Sequence, residues 1–99
     1  MRIPKTIKVG RKRYTVQQPG RMPFKYSRGS VNYDTGLINV ATHSGATGKP
    51  LTEPSRTTTF WHEVLHAALY DMGSRKHADE GFVNELAKRI AGVVESARF

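Results

Sequence analysis

The chain predicts an α+β domain in which a small antiparallel sheet, built from two N-terminal hairpins, packs on two helices. Three observations predict it. Apolar and polar residues alternate early in the chain, apolar residues recur with helical spacing in its second half, and the strand segments all precede the helical ones. The 99 residues are enough for one domain with a single small core. The expected divisions are a basic β part over 1–41, a loop over 42–56, a helix over 57–72 and a second helix over 79–97.

The first hairpin is read from Thr6-Ile7-Lys8-Val9, a tight turn at Gly10-Arg11, and resumed alternation at Tyr14 and Val16. Pro19, Gly20, Pro23 and Gly29 mark a connection, with a short extended piece expected over Phe24 to Tyr26. Val31-Asn32-Tyr33, a turn at Asp34-Thr35-Gly36, and Leu37-Ile38-Asn39-Val40 form the second hairpin. Residues 41–56 are rich in Gly, Thr, Ser and Pro, so a long loop is expected there.

The first helix is expected to start near Thr57 to Thr59 and to stop at Gly73, with Phe60, Val64, Ala67, Ala68 and Met72 on its apolar side. The second carries a broad apolar stripe of Phe82, Val83, Leu86, Ala87, Ile90, Val93, Val94 and Ala97. Phe60 and Trp61 read as core.

Charge is unevenly placed within a net +8. Residues 1–33 hold all of Arg2, Lys5, Lys8, Arg11, Lys12, Arg13, Arg21, Lys25 and Arg28 and no acid, whereas the rest of the chain is close to neutral. Such a basic segment contacts a polyanion or keeps a sheet surface solvated. Lys8, Arg11, Lys12 and Arg13, around the first hairpin turn, are the expected contacts with a nucleic acid or an acidic protein. No apolar run approaches the roughly 20 residues of a membrane span. The basic start has no apolar stretch behind it, so a cytoplasmic setting is expected. With no cysteine, disulfides, thiolate metal sites and a cysteine nucleophile are excluded. A metal must then be held by His, Asp or Glu.

The chemistry concentrates in His62-Glu63-Val64-Leu65-His66. Two histidines at i and i+4 project from one helix face, one turn apart, so both rings reach one ion. Glu63 is rotated by about 100° from His62. It can hydrogen-bond a metal-activated water, take its proton and deliver it to a leaving amine. A catalytic zinc needs a third protein ligand and an open position. Asp71 is too close along the same helix and Glu85 falls on the polar side of the second helix, which leaves His77, Asp79 and Glu80. Asp79 also suits the N-cap of that helix. Asn84, one turn from Glu80, can fix the tautomer of a ligand histidine. His77 and Tyr70 are candidates for contact with substrate or transition state. His43 reads as a surface histidine.

The HExxH element followed by Glu80-Gly81-Phe82-Val83-Asn84-Glu85-Leu86-Ala87 resembles the small gluzincin-type metallopeptidases, notably the ImmA/IrrE-like group and short phage- or prophage-encoded HExxH proteins. The resemblance covers roughly residues 31–97. It implies a minimal zincin-like fold and a Zn²⁺ held by His62, His66 and Glu80, with Glu63 as catalytic base. It also implies a phage protein acting in a host cytoplasm, and a sheet whose edge strand, Leu37 to Val40, receives an extended peptide. The expected activity is peptide-bond hydrolysis. The alternative is a non-catalytic zinc-containing protein that uses the basic hairpin on nucleic acid or an acidic protein.

Overall fold

The computed structural model describes residues 1–24 and 26–98. Its strands are β1 (Thr6–Val9), β2 (Lys12–Gln17), β3 (Gly29–Asn32) and β4 (Leu37–Val40). They are followed by helix α1 (Glu53–Asp71), a short 3₁₀ turn (Arg75–Ala78) and helix α2 (Glu80–Ser96). Both hairpins form where the turn residues put them. Gly10 adopts φ 60° and Gly36 φ 69°, a region that costs other L-residues a Cβ clash. The second turn is braced by the Asn32 side chain, which accepts from the Asp34 and Thr35 amides at 3.0 Å each.

The sheet is mixed, which corrects the all-antiparallel expectation. Its order is β1-β2-β4-β3. β2 and β4 pair in parallel, with Val16 opposite Ile38. The cause is the connection after Gln17, which carries the chain past β4 so that the second hairpin docks through its later strand. Leu37–Val40 is therefore a central strand and not the peptide-receiving edge. The edges are β1 and β3, and β3 makes the more extensive contact with α1. The extended piece over Phe24 to Tyr26 is not seen at its ends, which form a bend and a turn, and Lys25 lies outside the described residues.

Alternation along the strands sends Tyr14, Val16, Ile38 and Val40 to one face, where they meet Phe60 and Ala67 of α1 in the core. Ile38 and Val40 are fully buried, each contributing about 1.5–3 kcal/mol relative to exposure. Trp61 is half-buried, edge-on to Phe60 with ring centroids 5.3 Å apart.

The first helix begins four residues earlier than Thr57. Thr52 is its N-cap, accepting from the Ser55 amide at 3.3 Å, and Glu53 and Pro54 occupy the first turn. A proline pre-set for the first helical turn and an acid near the positive end of the helix both favour this start. Gly73 ends the helix at φ 71°. The Gly73 amide donates to the Tyr70 carbonyl and the Ser74 amide to the Leu69 carbonyl, both at 2.9 Å. This pair of bonds satisfies the last carbonyls. The segment before α1 is partly folded on itself, with His43 bridged to Pro50 and the Ser44 amide donating to the Lys49 carbonyl. His43 is half-buried, its Nδ1 2.8 Å from the Thr42 hydroxyl.

α2 packs against α1 as the second arm of a helical hairpin. Asp79 caps it, accepting from the Phe82 amide at 3.0 Å. Its apolar stripe is wider than its buried face. Val83, Ala87 and Ala91 are buried, whereas Phe82, Val93 and Val94 remain exposed. With α1 and the 3₁₀ turn to pack against, α2 covers little more than one side of itself. Among the described residues, no helix is long and apolar enough to cross a membrane.

Candidate metal centre and adjoining cleft

His62, Glu63 and His66 lie in the middle of α1, a helix anchored by the Thr52 cap and by Phe60 and Ala67 in the core. Their ligand atoms lie within 4.8 Å of one another, and this group can hold a metal ion. The rings are 4.7 Å apart between centroids, and the two Nε2 atoms face each other at 3.0 Å. Glu80, in the first turn of α2, brings its carboxylate over both. One oxygen is 3.0 Å from His62 Nε2 and the other 3.0 Å from His66 Nε2.

The protons decide what this cluster is. His66 Nδ1 donates to the His77 carbonyl at 2.6 Å. A backbone carbonyl only accepts, so in the neutral ring the proton sits on Nδ1 and the Nε2 lone pair faces Glu80. A lone pair and a carboxylate 3.0 Å apart repel, and either a proton on the ring or a metal ion between them relieves this. Donors bonded to one tetrahedral zinc at about 2.0–2.1 Å are about 3.3 Å from one another, close to the spacing seen here. The donor set therefore fits a divalent ion. Burial, with His66 adding to it, lowers the His62 pKa, which keeps that ring neutral and available as a ligand.

Glu63 is 5% exposed. Burial, reinforced by the negative charge of Glu80, pushes its carboxyl up to about 8. Gly29 of β3 makes room beside it. A Cβ there would come 2.7 Å from Thr59 Cγ2, 2.8 Å from the Asn39 carbonyl and 3.3 Å from Glu63 Cγ. Only a glycine lets the edge strand approach α1 at this point. A cleft of about 720 Å³ opens between the two, with Arg28, Gly29, Thr59, His62, Glu63 and Glu80 among its lining.

The other expected site residues divide. Asn84 lines the cleft, but the tautomer role foreseen for it is filled at His66 by the His77 carbonyl. His77 acts through its backbone, and neither its ring nor that of Tyr70 is among the residues lining the cleft. Instead Tyr70 stacks on Tyr33, centroids 4.0 Å apart and planes 2° from parallel. The His77 ring stands edge-on to both, at 5.9 Å and 5.4 Å. These three rings hold the 3₁₀ turn over the end of α1, and with it the carbonyl that orients His66. Tyr33, expected only as the end of a strand of the second hairpin, sits in the turn after β3, and no periodicity marks its ring for this role. Asp71 lies beside Gly10 at the far end of α1, and Glu85 pairs with Lys88 and Arg89 on the outer side of α2. Lys8, Arg11, Lys12 and Arg13 are all exposed at the first hairpin, and none of them lines the cleft.

The chain matches no family model, no curated protein and no solved structure.

Proposed function

We propose that the protein is a zinc-dependent metallopeptidase that hydrolyses a peptide bond through a metal-activated water. One observation carries this reading. Two imidazole Nε2 atoms and a carboxylate converge at 3.0 Å, and a second, buried carboxylate stands beside them on an open cleft. Nitrogen and oxygen donors of this kind suit zinc.

In this reading His62, His66 and Glu80 hold the ion, and Glu63 stays free for proton transfer. Glu80 is the ligand because its oxygens meet both imidazoles, whereas Glu63 lies deeper against Gly29. A bound zinc would supply Lewis-acid polarisation of the scissile carbonyl and activation of water. The Glu63 carboxylate accepts the proton of the attacking water and returns it to the departing amine nitrogen. Its low exposure excludes bulk water from that proton, and a bound cation beside it would favour the ionised carboxylate over the protonated form that burial favours in the metal-free chain. The His77 carbonyl holds His66 in the ligating tautomer. The cleft beside β3 provides room for an extended chain next to Glu63.

The test is hydrolysis of an unfolded protein mixture by the zinc-loaded chain, compared with Glu63→Gln. The expected outcome is cleavage by the wild type and a loss of at least about 100-fold in the variant at unchanged zinc content. Equal cleavage by both would remove Glu63 from the chemistry. No cleavage by a fully zinc-loaded wild type would favour a non-catalytic zinc-containing protein.

A further inference from the structure

Among the described residues, no helix lies over one face of the sheet. Tyr14, Val16, Ile38 and Val40 point to the helices, so strand alternation sends Lys8 of β1, Arg13 and Gln17 of β2, Asn39 of β4 and Ser30 of β3 to the opposite face. Among the described residues, that face holds no acid. The chain's acids other than Asp34, in the turn before β4, all belong to α1, α2 or the residue capping α2. The acids are thus gathered among the helices, where Arg56, Arg75, Lys76, Lys88, Arg89 and Arg98 accompany them, whereas the open sheet face carries Lys8 and Arg13 with no acid beside them.

The register adds a second observation. β1 and β2 place Lys8 directly opposite Arg13, and both side chains are exposed. Like charges directly opposite on one face of an antiparallel pair are destabilising. An anion across the two strands would relieve the repulsion. Around them the face carries Leu37 of β4 and hydrogen-bonding side chains, where the Asn39 amide donates to the Ser30 hydroxyl at 3.2 Å.

We propose that this open sheet face docks the phosphate backbone of a duplex nucleic acid, with Lys8 and Arg13 at its centre. None of the residues assigned to the face is aromatic, so it offers no platform for stacking unpaired bases. Recognition rests on phosphate charge, which is densest on a duplex, at one negative charge per roughly 1.7 Å. An acidic protein presents lower and less regular charge to the same surface. The inference is independent of the metal centre, which lies on the other side of the sheet.

The probe is a fluorescein-labelled 30-base-pair DNA duplex of arbitrary sequence, titrated by anisotropy with the full chain. If three to four phosphates are neutralised, affinity falls by about 40- to 150-fold between 50 and 200 mM salt. Lys8→Gln/Arg13→Gln lowers the salt slope by about 2 and leaves the melting temperature unchanged or higher, because a repulsive pair is removed. Arg89→Gln/Arg98→Gln, which removes the same charge from the helix side, retains wild-type binding. His62→Ala also binds as wild type, which separates this surface from the metal centre. Three results would each overturn the proposal: no binding of the duplex at 50 mM salt, equal losses in the two double variants, or tighter binding of polyglutamate than of the duplex.

Discussion

The Nδ1–H of His66 donates to the backbone carbonyl of His77 at 2.6 Å, and this bond leaves the Nε2 lone pair to point at Glu80. Since the acceptor is backbone, the His77 side chain is dispensable for it. His77→Ala is expected to lower zinc affinity by no more than about 10-fold, through loosened packing of the 3₁₀ turn on Tyr33 and Tyr70. His66→Ala should lower it by far more than 100-fold. Competition with a chromophoric chelator measures both. A His77→Ala loss as large as that of His66→Ala would make the His77 ring a ligand.

Glu80 and Asp79 are adjacent in sequence but separate in role. Asp79 caps α2, and the Phe82 amide it accepts from holds its pKa down. Asp79→Ala should cost about 1 kcal/mol of stability, read from the denaturant midpoint, and leave zinc affinity within a few-fold. Glu80→Ala, at an exposed helix position, should have little effect on metal-free stability and weaken zinc binding by more than about 100-fold.

The pKa of Glu63 makes metal-free stability depend on pH. Its folded value, raised to about 8 from 4.5, means that the folded state holds a proton the unfolded state has released. The resulting stabilisation is fully present below about pH 4.5 and is lost as pH rises towards 8, at up to about 1.4 kcal/mol per unit. Glu63→Gln should therefore match the wild type near pH 5 and exceed it by a few kcal/mol near pH 8, both in chelator. Zinc added at pH 8 should narrow the gap, because a nearby cation favours the ionised carboxylate. Urea denaturation at the two pH values, with and without zinc, checks all of this.

Gly29 sets the separation of β3 and α1. Gly29→Ala puts a methyl group against Thr59, the Asn39 carbonyl and Glu63, and should destabilise by about 1–3 kcal/mol. Gly20, with nothing within 4 Å of a Cβ, is the control and should tolerate Ala within about 0.5 kcal/mol. Thermal unfolding of the two variants compares them.

The legible parts of this fold were those written in local patterns. Alternation around Ile7 and Tyr14, and turns at Gly10 and Gly36, gave both hairpins. Gly73 gave the end of α1 and Asp79 the start of α2. How the hairpins join was not legible, because the parallel pairing of Val16 with Ile38 is a non-local choice without a sequence period. The error in the edge strand followed from it. The start of α1 was placed late because Pro54 and Thr52 read as loop residues, although a proline suits the first helical turn. At the site, His62, Glu63 and His66 were legible from helical spacing alone. Glu80 needed a family resemblance, since spacing left His77 and Asp79 open. The His77 carbonyl and the Tyr33 ring were out of reach, because a backbone acceptor leaves no mark in a sequence and an isolated turn tyrosine has no pattern.

The most direct measurement of the metal centre is a zinc titration of the purified chain, with His62→Ala alongside. The converging Nε2 atoms of His62 and His66 and the Glu80 carboxylate predict one tight equivalent in the wild type and none in the variant, with the variant still folded by circular dichroism. A wild type that takes up no stoichiometric zinc, or a His62→Ala chain that binds it as tightly, would contradict the account.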